Sequence, residues 1–134
     1  MAALTESLLR AGGFKTGLFT SPHLVDVRER VRINGRVLDK DTFAGYFWKV
    51  HDAVSSAVAE YSVHLHYFHF LTVLGFYIFQ EEQVDVAIME VGLGGRLDST
   101  NVLPRPVVCG ITLLDYDHVA ILGKCIFFLG CLAY

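Results

Sequence analysis

The sequence predicts an α/β domain with a mostly parallel, doubly wound sheet and helices on both faces, and three observations predict it. Residues 84–89 and 107–113 are runs of mostly β-branched and apolar residues, the composition of strands buried on both sides. The chain order reads helix, strand, two helices, strand, loop, strand. Both apolar runs stop in polar residues: Glu90 and then Gly92, Gly94 and Gly95 after the first, Asp115, Asp117 and His118 after the second. Open parallel sheets bind ligands at the carboxyl ends of their strands, so both ends are candidate site edges if the strands are neighbours.

Taken in order, residues 1–11 place Leu4, Leu8 and Leu9 on one side of a helix closed by Gly12-Gly13. Residues 16–20 form a short strand. Ser21-Pro22-His23 then turns the chain, since Pro22 fixes its own φ and biases Ser21 away from helix. His23 reads equally as a ligand contact and as a loop histidine without a role. Arg28, Arg30 and Arg32 alternate with Val27, Val31 and Ile33 as along one strand, and Asn34-Gly35 signals a hairpin. Asp39 or Asp41 caps the next helix, whose apolar face is Phe43, Tyr46, Phe47, Val50, Val54 and Ala57. Residues 68–80 are apolar nearly all round and predict a buried helix. His64, His66 and His69 lie close in sequence, but 64 and 66 fall in a loop and no acid or cysteine joins them. They read as satisfied or solvent-facing rather than as metal ligands.

The 134 residues bound the chain to one domain at most. A hydrophobic content of 53% is high for that length, yet no apolar run reaches the ~18–20 residues of a membrane span. A net charge of −3 gives no electrostatic reason to bind nucleic acid. Cys109, Cys125 and Cys131 lack metal-ligand spacing and sit among apolar residues, which reads as core thiols in a reducing compartment. No targeting segment is visible at the N-terminus. Gly92-Leu-Gly94-Gly95 is not a dinucleotide fingerprint, because position 97 is Leu. On residues alone it remains either a ligand turn or a flexible turn beside a solvated Glu90.

Glu90-Val-Gly-Leu-Gly-Gly-Arg-Leu-Asp-Ser-Thr-Asn101 resembles the signature of folylpolyglutamate synthases, in the Mur ligase superfamily. Three further stretches agree in order and spacing: Thr20-Ser-Pro-His-Leu24, Arg28-Glu-Arg-Val-Arg-Ile-Asn-Gly35, and Pro106-Val-Val-Cys-Gly110 followed by Asp117-His118. The resemblance implies an incomplete Mur-ligase-type central domain, of the ATP-binding kind, over residues 1–123, with a non-homologous apolar tail over 124–134. It implies ATP-dependent addition of L-glutamate to the γ-carboxylate of reduced folates, with ATP and Mg2+ required. The residues it assigns to the metal are Glu90 and His118. Those it places on the substrate and nucleotide side are Ser21, Pro22, His23, Gly94, Gly95, Asp98 and Asn101. The basic run at 28–32 is then a substrate-side element, weighed evenly against a solvated strand face. The implied compartment is the cytoplasm or the mitochondrion.

Two departures limit that reading. No Gly-x-x-x-x-Gly-Lys-[Ser/Thr] phosphate loop occurs in the sequence. From Lys124 onward the chain leaves the family pattern, and Lys124 does not match the family's carbamylated lysine. No catalytic residue is therefore assigned, and the chain is expected to be inactive alone, as a truncated or alternatively spliced product with an unpartnered edge beside 107–113. The rival class is a non-catalytic α/β fragment or pseudoenzyme that keeps part of a folate and metal site. Within the superfamily, dihydrofolate synthase and a peptidoglycan ligase are weaker alternatives, because the arginine-rich segment favours the folate branch.

Overall fold

Two central strands set the layering. β1 (Thr16–Phe19) and β4 (Val86–Glu90) run parallel, with Leu18 opposite Ile88 and Phe19 opposite Met89. Side chains on a strand alternate between faces. Leu18 and Ile88 therefore pack with Ala2 of α1 (Ala2–Ala11) on one side. Phe19 and Met89 pack on the other against α2 (Lys40–Tyr61) and α3 (Tyr67–Glu81). The computed structural model describes residues 1–62, 64–113, 115–123 and the backbone of 130–133. Lys124 and Cys125 lie outside the described residues.

In α1 the buried face is only partly the expected leucine side: Leu9 packs beside Ala2, Leu18 and Ile88, but Leu4 and Leu8 are exposed, while Ala2 and Glu6 are buried. The helix turns Glu6 to the sheet because its carboxylate is bonded there, by the Thr16 hydroxyl at 2.6 Å and by Arg10 Nε at 2.9 Å. α2 starts as expected at Asp39, whose side chain accepts the N–H groups of Asp41 and Thr42. Phe43 and Val50 are buried, and Tyr46, Phe47 and Val54 pack beside them, whereas Ala57 is exposed. α3 is the buried helix that its composition predicts. Leu74 and Ile78 are wholly buried, each contributing about 1.5–3 kcal/mol by removal from water. Gly75 lets the Phe19 ring approach, since a Cβ there would sit 2.8 Å from Phe19 Cδ2.

β2 (Val31–Ile33) and β3 (Arg36–Val37) form the hairpin at Asn34-Gly35, with φ of 49° and 72°, the two left-handed residues of a type I′ turn. Arg28 and Arg30 are not on that strand, as their alternation suggested. Val27–Arg30 is a 3-10 turn, fixed by a capping box between Asp26 and Glu29.

The remaining strands are β5 (Val108–Ile111) and β6 (Gly130–Ala133), and a short helix, α4 (Val119–Leu122), lies between them in the chain. The sheet order is β3-β2-β1-β4-β6-β5. It is mixed rather than mostly parallel. β1–β4 is the parallel pair, while the hairpin and the insertion of β6 between β4 and β5 make the other pairs antiparallel. Strand β5 is not buried: it forms an edge and is exposed on both faces, with Val108 59% and Ile111 72% exposed. Cys109, on this edge, is exposed and not a core thiol. No described helix is long and apolar enough to cross a membrane.

Candidate functional site

The carboxyl ends of β1 and β4 lie side by side, and the residues beyond them form one polar edge. Ser21 donates its backbone N–H to Glu90 Oε2 at 2.9 Å, across a separation of 69 residues. The Ser21–Pro22 peptide is cis. His23, half-buried, accepts at Nδ1 from Arg30 Nε at 2.9 Å. Thr20 donates its N–H to the Arg30 carbonyl at 2.9 Å, which ties this loop to the 3-10 turn.

That turn is held by two carboxylates. Glu29 accepts the N–H groups of Leu24, Val25 and Asp26, and these bonds keep its carboxyl below the usual range. Asp26 accepts from Arg28 through side chain and backbone, which pulls its carboxyl down to about 2. Arg28 is thereby neutralised within the loop.

After Glu90 the glycine turn closes on itself. Gly94 and Gly95 have φ of 71° and 105°, conformations that side chains rarely adopt. Gly92 lies on the Phe68 ring, and a Cβ there would sit 2.3 Å from Phe68 Cζ. Asp98 accepts the Leu93 N–H at 2.8 Å, the Thr100 N–H at 2.9 Å and the Thr100 hydroxyl at 2.6 Å. Its carboxylate is engaged inside the turn. The Asn101 side-chain amide donates to the Arg96 carbonyl at 3.0 Å, and Ser99 shares a 2.8 Å bond with Thr72 of α3.

His118 follows strand β5 and precedes α4, whose Leu122 packs on the turn: a Cβ on Gly94 would lie 2.9 Å from it. The two strand ends are not neighbours. Glu90 is opposite Cys131 of β6, and Cys131 is opposite Gly110 of β5. Two strand spacings, about 9.5 Å, therefore separate the ends. The His118 ring is exposed, with Nε2 3.8 Å from Asp117 Oδ2. Among the described residues no three His, Cys, Asp or Glu gather as a metal cluster, the 64, 66 and 69 histidines included.

The structure thus joins Ser21 to Glu90 and brings the turn at Gly94 against the helix after His118. Sequence reasoning missed Arg30 as a buried residue and Phe68 as the floor under Gly92. The Asp26-x-x-Glu29 capping box was the available signal for the first, because it forecasts a helical turn where alternation suggested a strand.

No family model matches the sequence. Individual proteins do. A folylpolyglutamate synthase of Arabidopsis thaliana is 53% identical over 119 residues, covering 89% of this chain and 21% of the plant protein. The human protein named mitochondrial folylpolyglutamate synthase is 47% identical over 122 residues, covering 90% of this chain and 21% of the relative. The apo form of L. casei FPGS superposes with a TM-score of 0.87 at 35% identity, over 93% of this chain and 30% of that one. The chain belongs to the folylpolyglutamate synthase family. E. coli FolC in complex with DHPP and ADP is also similar, with a TM-score of 0.82 at 37% identity. The α/β fold of this chain is therefore that of one part of the family's structures, and the chain spans about a fifth of the length of these curated relatives.

Proposed function

We propose that this chain supplies the metal- and folate-side edge of an ATP-dependent ligase that adds L-glutamate to the γ-carboxylate of folate polyglutamates. The observation that supports this reading is the Ser21–Glu90 hydrogen bond. It fastens the Thr20-Ser-Pro-His turn to the acid that heads the glycine turn, in a chain about half identical to proteins named for that activity.

Glu90 suits Mg2+. It is a half-buried carboxylate with one oxygen fixed by Ser21 and a second oxygen with no hydrogen bond among the described residues. Magnesium keeps several waters and takes one or two protein carboxylates plus substrate phosphates, so a crowded cage is not required. Glu90 would hold the ion, with His118 as the second group. When bound, it neutralises charge on a transferring phosphoryl group. Ser21 orients Glu90, Asp98 and Asn101 hold the shape of the glycine turn, and Pro22 and His23 face the substrate. Residues 1–123 form part of the ATP-binding-type domain, with residues 124–134 outside the family pattern, and the compartment is the cytoplasm or the mitochondrion.

The test is glutamate transfer by the full-length protein, with ATP, tetrahydrofolate and labelled glutamate. The expected result is an ATP-dependent lengthening of the folate's glutamate tail. Folded protein that transfers no glutamate contradicts the reading. The absence of a Gly-x-x-x-x-Gly-Lys motif from these 134 residues supports a second reading, that they bind without turnover when alone. Glutamate transfer by the 134 residues alone rules that second reading out.

A further inference from the structure

Arg30 is a buried cation without a carboxylate. It is 9% exposed, and among the described residues no acid lies within ion-pair distance of it. Its neighbours in the basic run differ: Arg28 is paired with Asp26 at 2.8 Å, and Arg32 Nε donates to the Glu29 carbonyl at 3.2 Å. Burying a charge unpaired is costly. The Tyr67 ring, 6.0 Å from the guanidinium carbon, offsets a part of this cost only. Arg30 Nε is taken by His23, and the other guanidinium N–H groups have no protein acceptor among the described residues. No fully buried polar atom there is orphaned, so those N–H groups reach solvent.

His23 completes the picture. A ring nitrogen that accepts from a guanidinium must carry a lone pair, so the His23 proton sits on Nε2. Arg30 and His23 thus offer donors and positive charge next to the Ser21 turn.

We propose that Arg30 and His23 form an oxyanion subsite beside Ser21 and Glu90, in which Arg30 also positions His23 as an Nε2–H donor. The ligand is a carboxylate or a phosphate. The source of that anion rests on the ligase reading above, but the subsite itself does not.

The experiment is NMR of the protein labelled with 15N-histidine, with His23 assigned by its loss in His23→Gln. Long-range proton–nitrogen couplings should show the Nε2–H tautomer in the wild type. Arg30→Met should give mixed tautomers, an effect that an arginine not bonded to His23 would not have; Arg30→Leu, which also lacks a donor, serves if Arg30→Met does not fold. Titration with inorganic phosphate and, separately, N-acetylglutamate identifies the source. A shift of the His23 signals by either anion supports the subsite, with binding weakened about tenfold or more in the Arg30 variant. An Nδ1–H tautomer in the wild type, or no response to either anion, overturns the proposal. Turnover is not read here. Loss of the tautomer signature thus leaves the ligase reading standing, and absent glutamate transfer with an intact signature removes only the ligase reading.

Discussion

Replacing Asp98 by alanine tests whether this acid is a scaffold of the glycine turn. Its carboxylate accepts three hydrogen bonds, from the Leu93 N–H at 2.8 Å and from the N–H and hydroxyl of Thr100 at 2.9 and 2.6 Å. Thr100 is wholly buried. A hydrogen bond to a charged acceptor is worth about 1.5–3 kcal/mol, and three that share one carboxylate do not add in full. The expected loss is about 2–4 kcal/mol, a large share of the ~5–15 kcal/mol that stabilises a domain. Asp98→Asn keeps one acceptor oxygen and should lose about 1–2 kcal/mol. Urea unfolding measures the loss as a lower midpoint at unchanged slope. Amide exchange at Leu93 and Thr100 should speed up in parallel. A ligand-facing Asp98 would leave the free protein unaffected. Asp98→Ala within about 0.5 kcal/mol of the wild type, with both amides still protected, therefore refutes the reasoning.

Gly92→Ala forces a Cβ to 2.3 Å from Phe68 Cζ, and Phe68 packs on Phe19 with ring centroids 6.0 Å apart. The expected cost is about 1–3 kcal/mol of overpacking, partly relieved in the double variant with Phe68→Leu; simple additivity in urea titrations contradicts this. Acid should loosen the turn around residues 24–30 late. Asp26 binds its proton at about 2 when folded, against an ordinary 3.8, and Glu29 is lowered too. A depressed folded value means that the stabilisation is complete above the unfolded value. It fades as pH falls through the folded one. The Arg28 amide shift should therefore move near pH 2 and that of Leu24 below the ordinary 4.5 of a glutamate, and an Arg28 midpoint at or above 3.8 argues against the Asp26–Arg28 pairing.

Local chemistry was legible in the sequence; long-range placement was not. Asn34-Gly35, the Asp39 cap, the buried α3 and the acid at the end of β4 each follow from a few adjacent residues, and each is present. The insertion of β6 between β4 and β5 depends on pairing between distant segments that carries no local signature, so the mixed sheet and the exposure of both β5 faces were missed, whereas the open edge beside 107–113 was expected. At the site, Glu90 and the glycines announced themselves, but the Ser21–Glu90 bond joins residues 69 apart. The arginine alternation misled because a capping box overrode it locally. The resemblance places Asp98 on the substrate and nucleotide side, and in the structure its carboxylate accepts from its own turn, a bond pattern that no sequence motif announces.

Glutamate transfer by Glu90→Gln in the full-length protein asks whether the carboxylate at the end of β4 holds the cation. Glutamine retains an oxygen for the Ser21 N–H, so the fold and the urea midpoint should hold, while the charge that suits a cation is gone. If Glu90 holds the cation, kcat for ATP-dependent glutamate addition falls by about 100-fold or more. Activity within about threefold of the wild type would contradict that role.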